Sequence, residues 1–432
     1  MIKNLFVVGL DDFHLRQLHS LARASDYRFL SLISYEKIKC GKHFPVREFL
    51  QQAPKKLAHF DGTVDAIIGF WDFPVSTLLP ILQKQQGLRG PSLNSVLMCE
   101  HKYWSRQQQR EVVPELIPPF QVIDPYENNT VKMCKLAYPF WLKPVKSVLS
   151  YLGFLIRDES EFETALGVIR KCINRYAEPF NFILDQADLP EEMKKIDGYH
   201  CIAEGLISTG YQCTLEGYAH NGDVQVYGVV DSIREGEHQT SFSRYQYPST
   251  LPDDVQQRMI AATTRVITHL GYDNWPFNIE FYWNNFNNTI HLLEINTRIS
   301  KSHCPLFKMV DGEYHHDVMI DIALGNKPEF PHRQGRYSTA AKFMLRCHQD
   351  GRVIAVPSQK EIARLKERFE GAEVVINVNA GTRLSDLRDQ DSYSYEIADL
   401  FLGADSSNEL MRRYREALSI LTFHIVHDEE AK

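Results

Sequence analysis

Residues 277–303, FNIEFYWNNFNNTIHLLEINTRISKSH, hold the densest set of side chains able to do chemistry. Two runs within it, FNIEFYW and TIHLLEIN, alternate apolar and polar positions, and the NNFNN between them is turn-forming. Period-two alternation predicts a hairpin that can place Glu280 and Glu294 on one face. Asn296 has the parity of Glu294, and Arg298 follows at the same spacing. Two carboxylates and an amide carbonyl make an all-oxygen set. That set suits Mg²⁺ (or Mn²⁺), which takes few protein carboxylates and completes its shell with water and phosphate oxygens. The arginine offers a planar donor for a phosphate or a developing oxyanion. Two glutamates on a hairpin can also be a solvated face. Here Ile279, Phe281, Leu292, Leu293 and Ile295 place the hairpin in a core, where a carboxylate needs a partner. A metal ion would be one.

A second polar set lies upstream. In FWLKPVKSVLSYLGFLI, residues 140–156, Lys143 closes an apolar strand and must find an anion. A phosphate held between that lysine and loop N–H groups would meet the need. Lys146, Ser147 and Ser150 in the loop are polar enough to touch it, or are merely solvated. The polar, aromatic stretch 233–252 reads as a long loop, a kind of segment that is more often functional than passive. Its Arg234, Arg244 and Tyr247 could hold a carboxylate substrate. Ser300 and His303 follow Arg298; His303 reads as structural or substrate-positioning rather than as a general base.

These residues need a frame. NLFVVG at 4–9, YRFLSLIS at 27–34 and VDAIIGFWDFP at 64–74 read as strands, with helical patterns from Phe13 to Ala24 and from Val75 to Gln86. That alternation predicts a small α/β unit with a parallel sheet. Trp71, Asp72 and Phe73 sit at the carboxyl end of a strand, where open α/β sheets bind ligands, or they form a packed turn. The lone Gly9 is no dinucleotide fingerprint. Helices follow over 92–114, and Pro114, Pro118 and Pro119 mark a boundary. A helix is expected over 159–176. Strands follow over 199–233, with HNGD as a hairpin turn, and an amphipathic helix over 253–271. A helix at 315–325 closes this part. Beyond Tyr337 strands and helices alternate, ending in a helix from NELM to FHIV.

The chain has 432 residues, of which 24% are charged and 44% hydrophobic, with a net charge of −7. This length implies two to four domains. The acidic balance argues against nucleic acid as a partner. No apolar run is long enough to span a bilayer, and no signal-peptide pattern is expected at the start. The eight cysteines are scattered without a C-x-x-C pair, as in a reduced, cytoplasmic protein.

The pair NIEF and LLEINTRISKSH resembles the magnesium-binding end of ATP-grasp ligases, with Thr297 where proline is usual. The resemblance implies an α/β and α+β multidomain fold. Residues 1–95 would be a Rossmann-like, pre-ATP-grasp domain. Residues 96–330 would be the ATP-grasp domain, with a lid subdomain over about 130–205. Residues 331–432 would be a small carboxy-terminal α+β domain like that of biotin-carboxylase-like ligases; Asp389, Asp391, Tyr393 and Tyr395 add a weak likeness to that group.

By the same resemblance, Glu280, Glu294 and Asn296 hold Mg²⁺ and Arg298 contacts the transferred phosphate. Lys102, Lys143, Lys146 and Ser150 contact ATP. Glu204 and Leu206 belong to the hinge that reads adenine, and Gln212 stands where a ribose-binding glutamate is common, with Glu216 a second pocket residue. The phosphate loop departs from the family in having only Gly153. The implied activity is an ATP- and Mg-dependent ligase joining a small carboxylate to an amine through an acylphosphate, with Arg298 and Lys143 catalytic. A bicarbonate-activating enzyme and a nucleotide-binding regulatory protein are the alternatives. Acceptor and nucleophile cannot be read, and a homodimer is admissible simply because dimers are common.

Overall fold

The computed structural model describes residues 2–39, 43–148, 150–234, 241–387, 390 and 394–427. Three apolar runs near the start form a parallel sheet in the order Tyr27–Ser34, Lys3–Leu10, Ala66–Ile68. Helices Val46–Ala58 and Val75–Gln85 flank it. This is the expected amino-terminal α/β unit, and Trp71 and Asp72 lie just past its shortest strand.

A four-stranded antiparallel sheet follows, ordered Phe120–Ile123, Cys201–Gly205, Phe140–Pro144, Phe154–Ile156. Helices Glu159–Cys172 and Asn174–Leu184 close the intervening chain. Asp158 caps the first of them by accepting from the Glu161 N–H. The break between the two, after Cys172, is absent from the single helix expected over 159–176.

The largest sheet has eight strands. Their order is Thr289–Asn296, Trp275–Asn284, Tyr211–His220, Asp223–Arg234, Phe242–Tyr247, Thr339–Cys347, Tyr395–Ala404, Glu373–Ile376. The last three come from the carboxy-terminal segment, so the boundary expected near residue 331 falls inside one continuous sheet. Among the described residues, Gly351–Ala355 and His424–His427 form a separate two-stranded ribbon. That last strand corrects the final helix, which ends at Ile420; the β-branched Ile425 and Val426 leave it for a ribbon.

The stretch 233–252, expected as a loop, is a strand at its centre. Phe242–Tyr247 bonds Asp223–Arg234 on one side and Thr339–Cys347 on the other. Its polar residues Arg244 and Gln246 lie on the face away from Tyr245 and Lys342, where Arg244 donates to Gln246 rather than to solvent. Residues 235–240 lie outside the described residues, as do Asp389, Asp391 and Tyr393.

The predicted hairpin is present, and its two faces differ. Phe277, Ile279 and Phe281 are fully buried in one apolar cluster with Val255, Met259 and Val266 of the Asp253–His269 helix. The opposite face carries Asn278 and Glu280. A one-residue slip would exchange the faces, so the apolar contact fixes where the carboxylates point. Phe281→Ala is expected to cost about 3–5 kcal/mol in urea unfolding. A loss below about 1 kcal/mol would show that this side of the hairpin is not packed as described.

Candidate active site

Glu280 and Glu294 face each other directly across the hairpin, and Asn278 faces Asn296 two residues on. Opposed like charges are unfavourable on a sheet. Burial, and then the Glu294 carboxylate, push the Glu280 carboxyl up to about 7. Neutral donors hold it in place: Gln212 Nε2 donates at 2.8 Å to Oε2, and Asn296 Nδ2 donates at 3.3 Å to Oε1. Asn296 Nδ2 also donates to Asn278 Oδ1 at 2.9 Å, which turns its own carbonyl oxygen away from that contact. A divalent cation fits this donor set, because it supplies the positive charge that the two carboxylates lack. Among the described residues no group of three or more His, Cys, Asp or Glu side chains forms a metal cluster. Two carboxylates plus an amide, with the remaining positions left to water and phosphate, is the Mg²⁺ pattern.

Three lysines converge beside the pair. Lys102 starts the Lys102–Val112 helix and its Nζ donates to the Ser147 carbonyl at 2.8 Å. Burial lowers its pKa to about 8 against the raising field of Glu294, and Lys143 and Lys146 lower it further. Lys143 was expected to need a phosphate; the fold already gives it an anion. Its Nζ lies 2.5 Å from Glu204 Oε2, and Arg106 Nε lies 2.5 Å from Glu204 Oε1. Burial would raise the Glu204 carboxyl, but these two cations hold it down near 2. Glu204 is therefore an ionised strut between strand and helix. Leu206, just past the strand end, is exposed. Lys146 is no solvated loop charge: it is buried and paired with Glu100, whose other oxygen accepts from Thr297 Oγ1 at 2.5 Å. In the glycine-poor loop, Ser150 and Leu152 take φ of +57° and +55°, conformations usually left to glycine.

Arg298 is held by the amino-terminal unit. Its Nε donates to Asp72 Oδ1 at 2.7 Å and its Nη1 makes a long 3.4 Å contact to the Ile299 carbonyl. Below it, fully buried Glu216 lies 2.8 Å from His303 Nδ1 and accepts from the Ser300 N–H at 3.3 Å. Burial, with Arg298 and Lys342 nearby, drops the His303 pKa to about 3. His303 is thus neutral at physiological pH and unsuited to act as a base, in line with a positioning role.

The substrate residues expected on the 233–252 stretch divide. Arg234 Nη1 donates to Gln212 Oε1 at 2.6 Å and its guanidinium stacks 3.9 Å from the Phe242 ring, so it joins the metal-side network. Gln212 is thereby bound on both its ends. Arg244 is a correction: it donates to Gln246, whose amide reaches Ser407, placing both on the face opposite Tyr245 and Lys342. Tyr247 is another: it is 1% exposed, donates to Asp311 Oδ2 at 2.8 Å, and packs on Phe307. The helix Cys304–Val310 seals it in, which its local sequence does not reveal.

Sequence reasoning missed Glu100 and Arg106. Glu100 joins residues 46 and 197 positions away, and Arg106 donates to the Leu292 and Leu293 carbonyls 186 and 187 positions away. A glutamate two places before Lys102 was the only local hint. Lys301 and Lys342 were also missed; Lys301 lies over the Trp71 ring, and Lys342 pairs with Asp399.

Residues 136–304 match the model of the ATP-grasp domain. The uncharacterized protein y4rH of Sinorhizobium fredii (strain NBRC 101917 / NGR234) is 26% identical over 197 residues, which are 44% of this chain and only 39% of that relative's length. The L-amino acid ligase of Bacillus licheniformis superposes over 99% of both chains with a TM-score of 0.71 at 15% identity. The biotin carboxylase of Campylobacter jejuni covers 99% of this chain and 93% of its own, with a TM-score of 0.64 at 14% identity. Phosphoribosylglycinamide synthetase of Anaerococcus prevotii covers 99% and 100%, with a TM-score of 0.64 at 14% identity. The fold is that of the ATP-grasp ligases. The chain carries an ATP-grasp domain, and the carboxylate hairpin lies inside the matched residues.

A proton on Glu280 competes with a metal ion, since the ligating carboxylate must be ionised. With its pKa pushed to about 7, the pair is ready for metal above that pH and must shed a proton below it. Apparent Mn²⁺ affinity, followed by calorimetry, is expected to weaken roughly tenfold between pH 8 and pH 6. An affinity flat from pH 8 to pH 6 would show that Glu280 is already ionised or is not a ligand.

Proposed function

We propose that this protein is a ligase of the ADP-forming, carbon–nitrogen-bond-forming kind. It would use ATP to activate a small carboxylate as an acylphosphate, which an amine then attacks. The observation that carries this reading is the direct opposition of Glu280 and Glu294 beneath Lys102, Lys143 and Lys146, with Arg298 beside them. Glu280, Glu294 and Asn296 would hold Mg²⁺, which when bound supplies charge neutralisation at the phosphate oxygens.

The rest follows from the chain's own residues. Lys102 and Lys146 would bind the phosphates of ATP, and Lys143 would reach the same anions from its bond with Glu204. Phosphoryl transfer asks mainly for such positioning and charge neutralisation. A carboxylate oxygen of the acceptor would attack the γ-phosphorus, forming a P–O bond as the bond to ADP breaks. Arg298, oriented by Asp72, would donate to the acceptor oxygens. The amine nitrogen would then bond to the acyl carbon, phosphate would leave with the C–O bond electrons, and the amine would lose a proton to solvent. Arg298 would steady the tetrahedral oxyanion in this second step. The reading is of one kind with the L-amino acid ligase that the fold resembles.

One feature favours a second reading, a nucleotide-binding protein without turnover. The phosphate loop has a single glycine, and Gln212 is tied to both Glu280 and Arg234. That reading predicts ATP binding by calorimetry with no ADP formed against any mixture of amino acids. The ligase reading predicts ADP and phosphate release with at least one carboxylate–amine pair. It also predicts a fall of at least about 10²-fold in Glu294→Gln, comparable to losing one charge-stabilising group at a transition state. Wild-type turnover in that variant would remove the metal assignment.

A further inference from the structure

Beyond Arg298 three parts of the chain meet: the Trp71–Asp72 turn of the amino-terminal unit, the segment after the hairpin, and the carboxy-terminal strands. Lys342 projects from the Thr339–Cys347 strand, and its Nζ lies 3.0 Å from Asp399 and 3.4 Å from Ser302 Oγ. Lys301 stands between these groups with its Nζ 4.3 Å from the centre of the Trp71 ring. The indole itself is fixed, donating from Nε1 to the Gly9 carbonyl at 2.7 Å.

Lys301 differs from every other cation of the site described above. Lys143 has Glu204, Lys146 has Glu100, Arg298 has Asp72 and Lys342 has Asp399. Lys102, which lacks a carboxylate, has the Ser147 carbonyl and the field of Glu294. Among the described residues no carboxylate lies within ion-pair distance of Lys301, and its one close partner is an aromatic face. Burial, followed by the fields of Lys342 and Lys39, lowers its pKa to about 8, with Asp399 acting the other way. Lys301 is only partly buried, and a cation that has lost part of its water without gaining an anion would be stabilised by an incoming one. A cation–π contact orients the ammonium but replaces only part of the lost hydration.

Lys301 stands apart from the lysines placed on the triphosphate. The groups that act on Lys301 are Lys342, Lys39, Asp399 and Arg298, with Asp11 and Asp72 feeling it in turn. None of them belongs to the Lys102–Lys143–Lys146 cluster or to the hairpin carboxylates. A substrate reaching from Arg298 to Lys301 therefore needs a second acidic group besides the carboxylate being activated. We propose that Lys301 is a specificity-determining residue that binds a carboxylate of the substrates other than the one phosphorylated.

This rests on the ligase reading and deepens it. The chemistry has two sources: the α-carboxylate of an amino acid acting as the amine, or a second carboxylate on the acceptor.

The test uses the full chain and its Lys301→Met and Lys301→Arg variants. ADP release is measured with L-alanine or L-alaninamide as the amine, each against acetate and against succinate as acceptor. In wild type, the form carrying the extra carboxylate should have the lower KM. Lys301→Met should raise that KM by roughly 10- to 100-fold, the worth of a hydrogen-bonded charge pair. The KM for the uncharged counterpart and for Mg·ATP should not move, and Lys301→Arg should restore much of the loss. Selectivity lost toward alanine over alaninamide assigns the site to the amine; selectivity lost toward succinate over acetate assigns it to the acceptor. An equal loss toward charged and uncharged forms, or a loss confined to Mg·ATP, overturns the proposal. If wild type releases no ADP with any pair, the ligase reading fails, and calorimetry decides the subsite separately: L-alanine or succinate should bind wild type more tightly than Lys301→Met. Equal binding by both proteins overturns it.

Discussion

Two carboxylates facing each other across a hairpin are an unfavourable arrangement that the fold holds in place. The force doing so is apolar. Phe277, Ile279 and Phe281 are buried on the other face of the strand, and any shift of register would bring them out. Glu280 therefore cannot escape Glu294. Its tension is eased only partly by the neutral donors Gln212 and Asn296. The arrangement stores a demand for positive charge at one point.

Around that point the chain sets its own cations on struts. Glu204 gathers Arg106 and Lys143, and Glu100 gathers Lys146 and Thr297. Each strut joins elements distant in sequence: helix to lid strand in one case, helix to loop and hairpin end in the other. A buried pair of this kind adds little net stability, since desolvation offsets most of the attraction. What it does provide is position. The lysines are aimed before any ligand arrives, so less ordering remains to be done on binding. The amino-terminal unit takes part through Asp72, which orients Arg298. The carboxy-terminal strands take part through Lys342 and Asp399. The site thus draws on three stretches of chain: the hairpin and the carboxy-terminal strands share the eight-stranded sheet, while Asp72 comes from the amino-terminal unit with its own sheet.

Legibility in the sequence followed the range of the interaction. The hairpin and a shared face for Glu280 and Glu294 came from period-two alternation, a local property; their direct opposition is set by the register of the folded strands. The amino-terminal α/β unit came from alternating strand and helix patterns. What failed was long-range. The Phe242–Tyr247 strand looked like a loop because the strand that completes its pairing, Thr339–Cys347, lies far along the chain. Arg244 and Tyr247 looked like substrate ligands by type alone, yet one lies on the wrong face and the other is sealed by Phe307. Lys143 was rightly judged to need an anion, but Glu204 supplies it from 61 residues further along the chain. Such pairings leave no trace in spacing.

The central claim is that the hairpin grips a divalent ion beside a triphosphate. The most direct measurement is a crystal structure with Mn²⁺ and a non-hydrolysable ATP analogue, located by the anomalous signal of the metal. The account predicts a peak within roughly 2–2.5 Å of oxygens from Glu280, Glu294 and Asn296, with phosphate oxygens completing the shell. A peak elsewhere, or a nucleotide bound with no metal between these two carboxylates, would contradict it.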